Sequence, residues 1–89
     1  MTGTERVEKI RQVLTARLAP LSLVIRDDSA KHAGHAGARE GGHFSVVVVS
    51  DQFVGRTRMQ RHQLVYAALA QLMRTDIHAL SIQARAPRE

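Results

Sequence analysis

Residues 53–87 read FVGRTRMQRHQLVYAALAQLMRTDIHALSIQARAP, and this stretch decides the fold. Gly55 interrupts it early, in a turn that asks for a permissive backbone. Beyond the turn, Met59, His62 or Gln63, Tyr66, Leu69 and Met73 fall close to one stripe at helical spacing, with Val65 and Leu72 flanking it. That spacing predicts one long amphipathic helix. Asp76-Ile77-His78 then leads into a strand over 79–85, where Leu80, Ile82 and Ala84 alternate with Ser81 and Gln83. Arg56, Arg58 and Arg61 gather at the helix start, where they oppose the macrodipole; such a placement implies a task or a carboxylate partner.

Upstream, Val7, Ile10, Leu14 and Leu18 recur at helical spacing, with Val13 beside them, and Pro20 forbids continuation. Either Thr2 or Thr4 serves as the helix cap. Leu21, Leu23 and Ile25 alternate with Ser22, Val24 and Arg26 as a short strand. From Asp27 to Gly42 the chain carries four glycines and two histidines and has little to bury, which predicts a long loop. A strand over 43–50 follows, and its four consecutive valines predict a central position, covered on part of both faces. The order α-β-loop-β-turn-α-β makes the first two strands an antiparallel hairpin, and the helical crossover makes the third parallel to the second. Helices then pack on one face of a three-stranded mixed sheet: a single α+β domain over residues 1–89.

Composition narrows the function classes. There is no cysteine, so the chain forms no disulfide, supplies no thiolate nucleophile and holds no iron–sulfur cluster by thiolates alone. Any metal ligand is imidazole or carboxylate. Thirteen basic residues, eleven of them arginine, stand against eight acidic ones, a net +5 that attracts polyanions although the charges are dispersed. No apolar run approaches the ~20 residues of a membrane span. Met1 leads straight into an amphipathic pattern, so no secretory signal is expected and a cytoplasmic location is. No paired carboxylates mark a pocket, and Ser29 near His32 lacks an oxyanion hole, so catalysis is not expected.

Phe53-Val54-Gly55, Arg61-His62, Val65-Tyr66, Leu69 and Ile77-His78-Ala79-Leu80-Ser81-Ile82 together resemble the BolA family of small KH-like proteins. The His32-Ala33-Gly34-His35 loop and Gly42-His43-Phe44 fit the same family, so the resemblance covers nearly the whole chain. It implies an α-β-β-α-β KH-like domain and an adaptor that pairs with a monothiol glutaredoxin. The pair would share a bridging [2Fe–2S] cluster with glutathione, in iron–sulfur or iron homeostasis, and the isolated chain would bind none. On that resemblance His78 is the C-terminal metal ligand and His32 the loop ligand, with His35 in reserve because loop length drifts. Two imidazoles on one iron are a Rieske-like set. Such ligands lose metal when protonated.

The alternative is a DNA-binding transcription regulator of morphology or stress response, working through a helix-turn-helix surface with Arg56, Arg58, Arg61 and His62. Against it, Gly55 is followed by Arg56-Thr57-Arg58, so the Gly-x-x-Gly clamp of KH domains is missing, and Gln63 replaces a basic residue of the family helix. DNA and a weak homodimer complete the partners considered; a membrane is not among them. His43 and His62 are expected to be satisfied, partly buried histidines rather than metal ligands.

Overall fold

The computed structural model describes residues 3–29 and 41–89. Helix α1 runs Gly3–Leu18 and buries Ile10, Leu14 and Leu18, with Val7 and Val13 packed against the same cluster. It ends where the spacing predicts, just ahead of Pro20. The terminating residue is Ala19, in the left-handed region at φ 44°, with its N–H on Thr15 O at 3.2 Å. A helix end of this kind normally takes glycine, because Cβ is crowded there.

Strand β1 (Ser22–Asp27), β2 (Gly42–Val49) and β3 (Ile77–Arg85) form one sheet in the order β1-β2-β3. β1 and β2 are antiparallel, while β2 and β3 are parallel, as the connections require. Asp27 and Gly42, the two ends of the expected loop, belong to strands; residues 30–40, where most of that loop is expected, lie outside the described residues.

Period-two alternation decides the faces. Phe44, Val46 and Val48 are buried against Ile10, Leu14, Leu18, Val65 and Leu69 of the helices. Leu23 and Ile25 pair beside Val48 and Val46, and Leu80, Ile82 and Ala84 complete that face from β3. Ser45, Val47 and Val49 point the other way and are half-buried, beside Val24, Ser81, Gln83 and Arg85. The helices cover one face, and the valine run occupies the central strand.

Between β2 and the next helix lies a single 3-10 turn, Asp51–Phe53. Ser50 caps it: its buried Oγ donates to Leu18 O at 2.6 Å and accepts from Gln52 N at 3.1 Å, so this polar group is satisfied without water. Gly55 takes φ 73°, the conformation its position predicted. Thr57 and Gln60 then form a capping box for α2 (Arg58–Ala68).

The single long helix expected here is two. Leu69, at φ −96° and ψ 11°, separates α2 from α3 (Ala70–Thr75). The stripe also differs: Val65 and Leu69 are fully buried, whereas Met59 is 71% exposed and Tyr66 is exposed. At 3.6 residues per turn, six residues rotate Met59 roughly 120° away from Val65. The narrower line through Val65 and Leu69 meets the sheet, and Met59 is left in water. Among the described residues no helix is long and apolar enough to cross a membrane.

Candidate functional site

The mouth of the sheet, where β2 and β3 begin, holds two of the five histidines. Gly42 pairs with Ile77, but His43 pairs with Ala79, so His78 is an extra residue in β3. A bulge of this kind re-aims a side chain. Ile77 and Leu80 both pack on the core, so His78 and Ala79 together span the stretch between them. The His78 ring is exposed, with its centroid 5.2 Å from that of half-buried His43 and the planes tilted by 51°. His78 thus stands exposed at the start of β3, and His43 stands next to it.

The exit of β1 is folded against the same spot. Asp27 Oδ1 accepts from Ser29 N at 2.9 Å, Ser29 Oγ accepts from His43 N at 3.0 Å, and Asp28 N donates to His43 O at 2.7 Å. Asp28 and Asp27 point to opposite faces, and the Asp28 carboxylate accepts from Ser45 Oγ at 2.5 Å on the uncovered face. On the other side, a Cβ built on Gly41 would stand 3.0 Å from His78 N and 3.1 Å from Asp76 O. Both ends of the segment bearing His32 and His35 are therefore anchored at the His43–His78 pair. His32 and His35 themselves lie outside the described residues.

Gly42 is required by close packing. A Cβ there would meet Phe44 Cε2 at 2.5 Å, Cζ at 2.6 Å and Ser29 Oγ at 2.8 Å, so a side chain would push on the core ring and on the hydroxyl that holds His43. Asp76 fixes the other strand. Only 4% exposed, it takes a 2.5 Å hydrogen bond from Thr75 Oγ1, while Lys9 Nζ and Arg6 Nε of α1 lie 3.5 and 3.8 Å from Oδ2. Its backbone caps α3 through Leu72 O and receives Gly42 N at 3.0 Å. The Thr75 hydrogen bond, aided by the two cations and opposed by burial, lowers the carboxyl below its ordinary range. The carboxylate pins α1 to the turn two residues before His78.

A second concentration of chemistry lies on the far side of α2. Arg56, Arg58, Arg61, His62, Gln83 and Arg85 line a depression of about 430 Å³. All four residues read from sequence as a nucleic-acid or partner surface are thus brought together, and β3 adds Arg85. Arg61 is fixed: Nε donates to Arg56 O at 3.0 Å and Nη1 to Ala84 O at 3.2 Å, and Glu89 takes the remaining fork.

The two concentrations lie at different ends of β3, so they are separate sites. Imidazole fits the first: among the described residues no group of three metal-ligating side chains occurs, so these residues do not close a site around a lone ion. An exposed ring beside a second imidazole instead suits a metal group that another molecule also ligates. Sequence reasoning did not associate His43 with His78, nor Arg85 and Glu89 with Arg61. The spacing of Ile77 and Leu80, three apart in a strand of period two, is compatible with an extra residue there but does not say what His78 would stand beside.

A model of the BolA-like protein family matches residues 14–89. The chain is 42% identical over 88 residues to Protein BOLA1, chloroplastic, of Arabidopsis thaliana, covering 94% of this chain and 55% of that protein. It is 39% identical over 75 residues to the DNA-binding transcriptional regulator BolA of Escherichia coli (strain K12), covering 84% and 70%. Among solved structures, the BolA domain of SufE1 from Arabidopsis thaliana superposes with a TM-score of 0.83 at 40% identity, covering 98% of this chain and 96% of that one. The chain spans about half the length of the first of these relatives.

Proposed function

Because this chain belongs to the BolA-like family, we propose that it is an adaptor that pairs with a monothiol glutaredoxin and lends histidine ligands to a bridging [2Fe–2S] cluster. The observation that carries this reading is the exposed His78 ring, raised on a bulge at the point where the His32–His35 segment leaves and rejoins the sheet. When bound, the cluster supplies one-electron chemistry at a potential that imidazole ligation raises relative to all-cysteine centres. Within this chain, His78 holds one position on iron and His32 the second, with His35 in reserve. His43 flanks His78, and Asp76 holds the strand start in place. With no cysteine in the chain, both thiolates come from outside, one from the glutaredoxin and one from glutathione. The role is ligation rather than catalysis.

The test is reconstitution of this chain with a monothiol glutaredoxin, glutathione, iron and sulfide, read by visible circular dichroism. The expected spectrum differs from that of the glutaredoxin homodimer and is lost on His78→Ala. Separate His32→Ala and His35→Ala variants identify the loop ligand. A spectrum indifferent to added chain refutes the reading.

A second reading is favoured by a separate observation, the clustering of Arg56, Arg58, Arg61 and Arg85 around one depression. There the chain would bind DNA phosphates as a transcription regulator, the role named for the Escherichia coli relative. Replacing Arg56 and Arg58 with Ser should weaken DNA binding and flatten its salt dependence by about one unit per lost contact. His78→Ala should leave it unchanged. The opposite pattern removes this reading.

A further inference from the structure

Arg61 already holds an oxyanion. Its Nη1 and Nη2 donate to Glu89 Oε2 and Oε1 at 2.7 and 2.5 Å, the fork-on-fork geometry with which arginine also takes a phosphate. The tail is bent to make this contact. Arg88 adopts φ 70°, unfavourable for a residue with a Cβ, while Glu89 N donates to Ala86 O at 3.3 Å and Ala86 N to Glu89 Oε1 at 3.2 Å. The hydrogen bond from Arg61 lowers the Glu89 carboxyl below the usual glutamate range.

The rest of the depression is cationic, and among the described residues its one carboxylate neighbour is Glu89 itself, whose charge Arg85 also feels. Arg56 Nε donates to Gln52 O at 2.8 Å and Arg85 Nη2 to Gln83 Oε1 at 3.1 Å, both neutral acceptors. Among the described residues no carboxylate lies within ion-pairing distance of Arg56, Arg58 or Arg85. Arg58 opens α2, whose positive end adds to the same potential. Side-chain capping of that helix end comes from Thr57 and Gln60 rather than from the arginines, whose charge opposes the helix dipole, so helix stability does not account for them. They are arranged for an anion with more charge than one carboxylate.

We propose that this depression is a binding site for phosphate groups, built from Arg56, Arg58, Arg61 and Arg85, and that Glu89 is a competitor for Arg61 carried by the chain itself. The ligand class comes from the second reading above; the competition by Glu89 is new to it. Phosphate competes with Glu89 because it offers the same fork a second negative charge, and because the Glu89 side chain, 41% exposed against 15% for Arg61, is free to return to water. Arg61 keeps its two backbone acceptors throughout, so the fork stays aimed at the depression while its occupant changes.

The test follows the Arg61 Nε–H resonance of the ¹⁵N-labelled chain as inorganic phosphate is added at constant ionic strength, in wild type and Glu89→Gln. The resonance should move at about five-fold lower phosphate in Glu89→Gln, consistent with removal of one surface pair, and chloride should not move it. Arg58→Ser should weaken the response in both backgrounds while leaving the Arg61–Glu89 contact intact. Equal midpoints in wild type and Glu89→Gln, or no response in either, overturn the proposal. A parallel titration with a labelled DNA duplex separates the sources of phosphate. Tighter binding by Glu89→Gln, with a salt slope steeper by about one contact, supports the nucleic-acid backbone as ligand. A phosphate effect without any DNA effect keeps the competition, removes DNA and leaves free phosphate compounds as the ligand.

Discussion

Replacing Asp76 with Ala should be among the more costly single changes near the candidate metal site. The side chain is 4% exposed and interacts with Thr75 Oγ1, Lys9 and Arg6, so its loss removes a charge-assisted hydrogen bond and leaves two cations facing a gap. Breaking a fully buried pair costs roughly 3–5 kcal/mol. Lys9 is 44% exposed and rehydrates readily, which brings the expectation to about 2–3 kcal/mol. For a domain of this length that is a large share of a total of roughly 4–13 kcal/mol, and it corresponds to a drop in Tm of roughly 10–20 °C. Asp76→Asn keeps an acceptor for Thr75 and should lose about half as much.

The pH dependence isolates the charge. Because the folded carboxyl titrates below its unfolded value, its contribution is complete above about pH 4 and disappears as pH falls through the lower folded value. Urea unfolding of wild type and Asp76→Asn, followed by far-UV circular dichroism, should show a gap at pH 7 that narrows as the pH is taken from 4 down to 2. Other carboxyls titrate alike in both proteins and cancel in the difference. A loss under about 0.5 kcal/mol for Asp76→Ala, or a gap between wild type and Asp76→Asn that is the same at pH 7 and pH 2, refutes the account of Asp76.

Three further outcomes test the packing. Ala19→Gly should stabilise by about 1 kcal/mol by relieving a left-handed alanine, seen as a rise in Tm; a fall contradicts the strain assigned there. Gly42→Ala should destabilise by about 1–3 kcal/mol, since the added methyl meets the Phe44 ring and Ser29 Oγ, and should shift the His43 resonances. Leu69→Ala should cost about 2–5 kcal/mol, while Met59→Ser should stay within about 0.5 kcal/mol. Urea titrations would show whether these two residues instead exchange roles.

The strand order and its mixed pairing were legible because they rest on local signals: the valine run, Pro20, and a crossover too long for a hairpin. The break at Leu69 was not, since neither glycine nor proline marks it. Met59 and Tyr66 misled because spacing alone cannot choose among neighbouring apolar lines on one helix. His78 was legible only through the resemblance. Its partnership with His43 needed the bulge, and the bulge needed the pairing of two strands more than thirty residues apart. The hold of Arg6 and Lys9 on Asp76 joins α1 to the turn before β3, and that of Arg61 on Glu89 joins α2 to the residues after β3, so neither is written in any local pattern.

The most direct test of histidine ligation is pulsed electron paramagnetic resonance on the reduced heterocomplex, with only this chain ¹⁵N-labelled at histidine. The account predicts ¹⁵N couplings of directly bound imidazole, diminished by His78→Ala. A cluster whose nitrogen couplings are unaffected by labelling this chain would have all its ligands elsewhere, and the adaptor reading would be wrong.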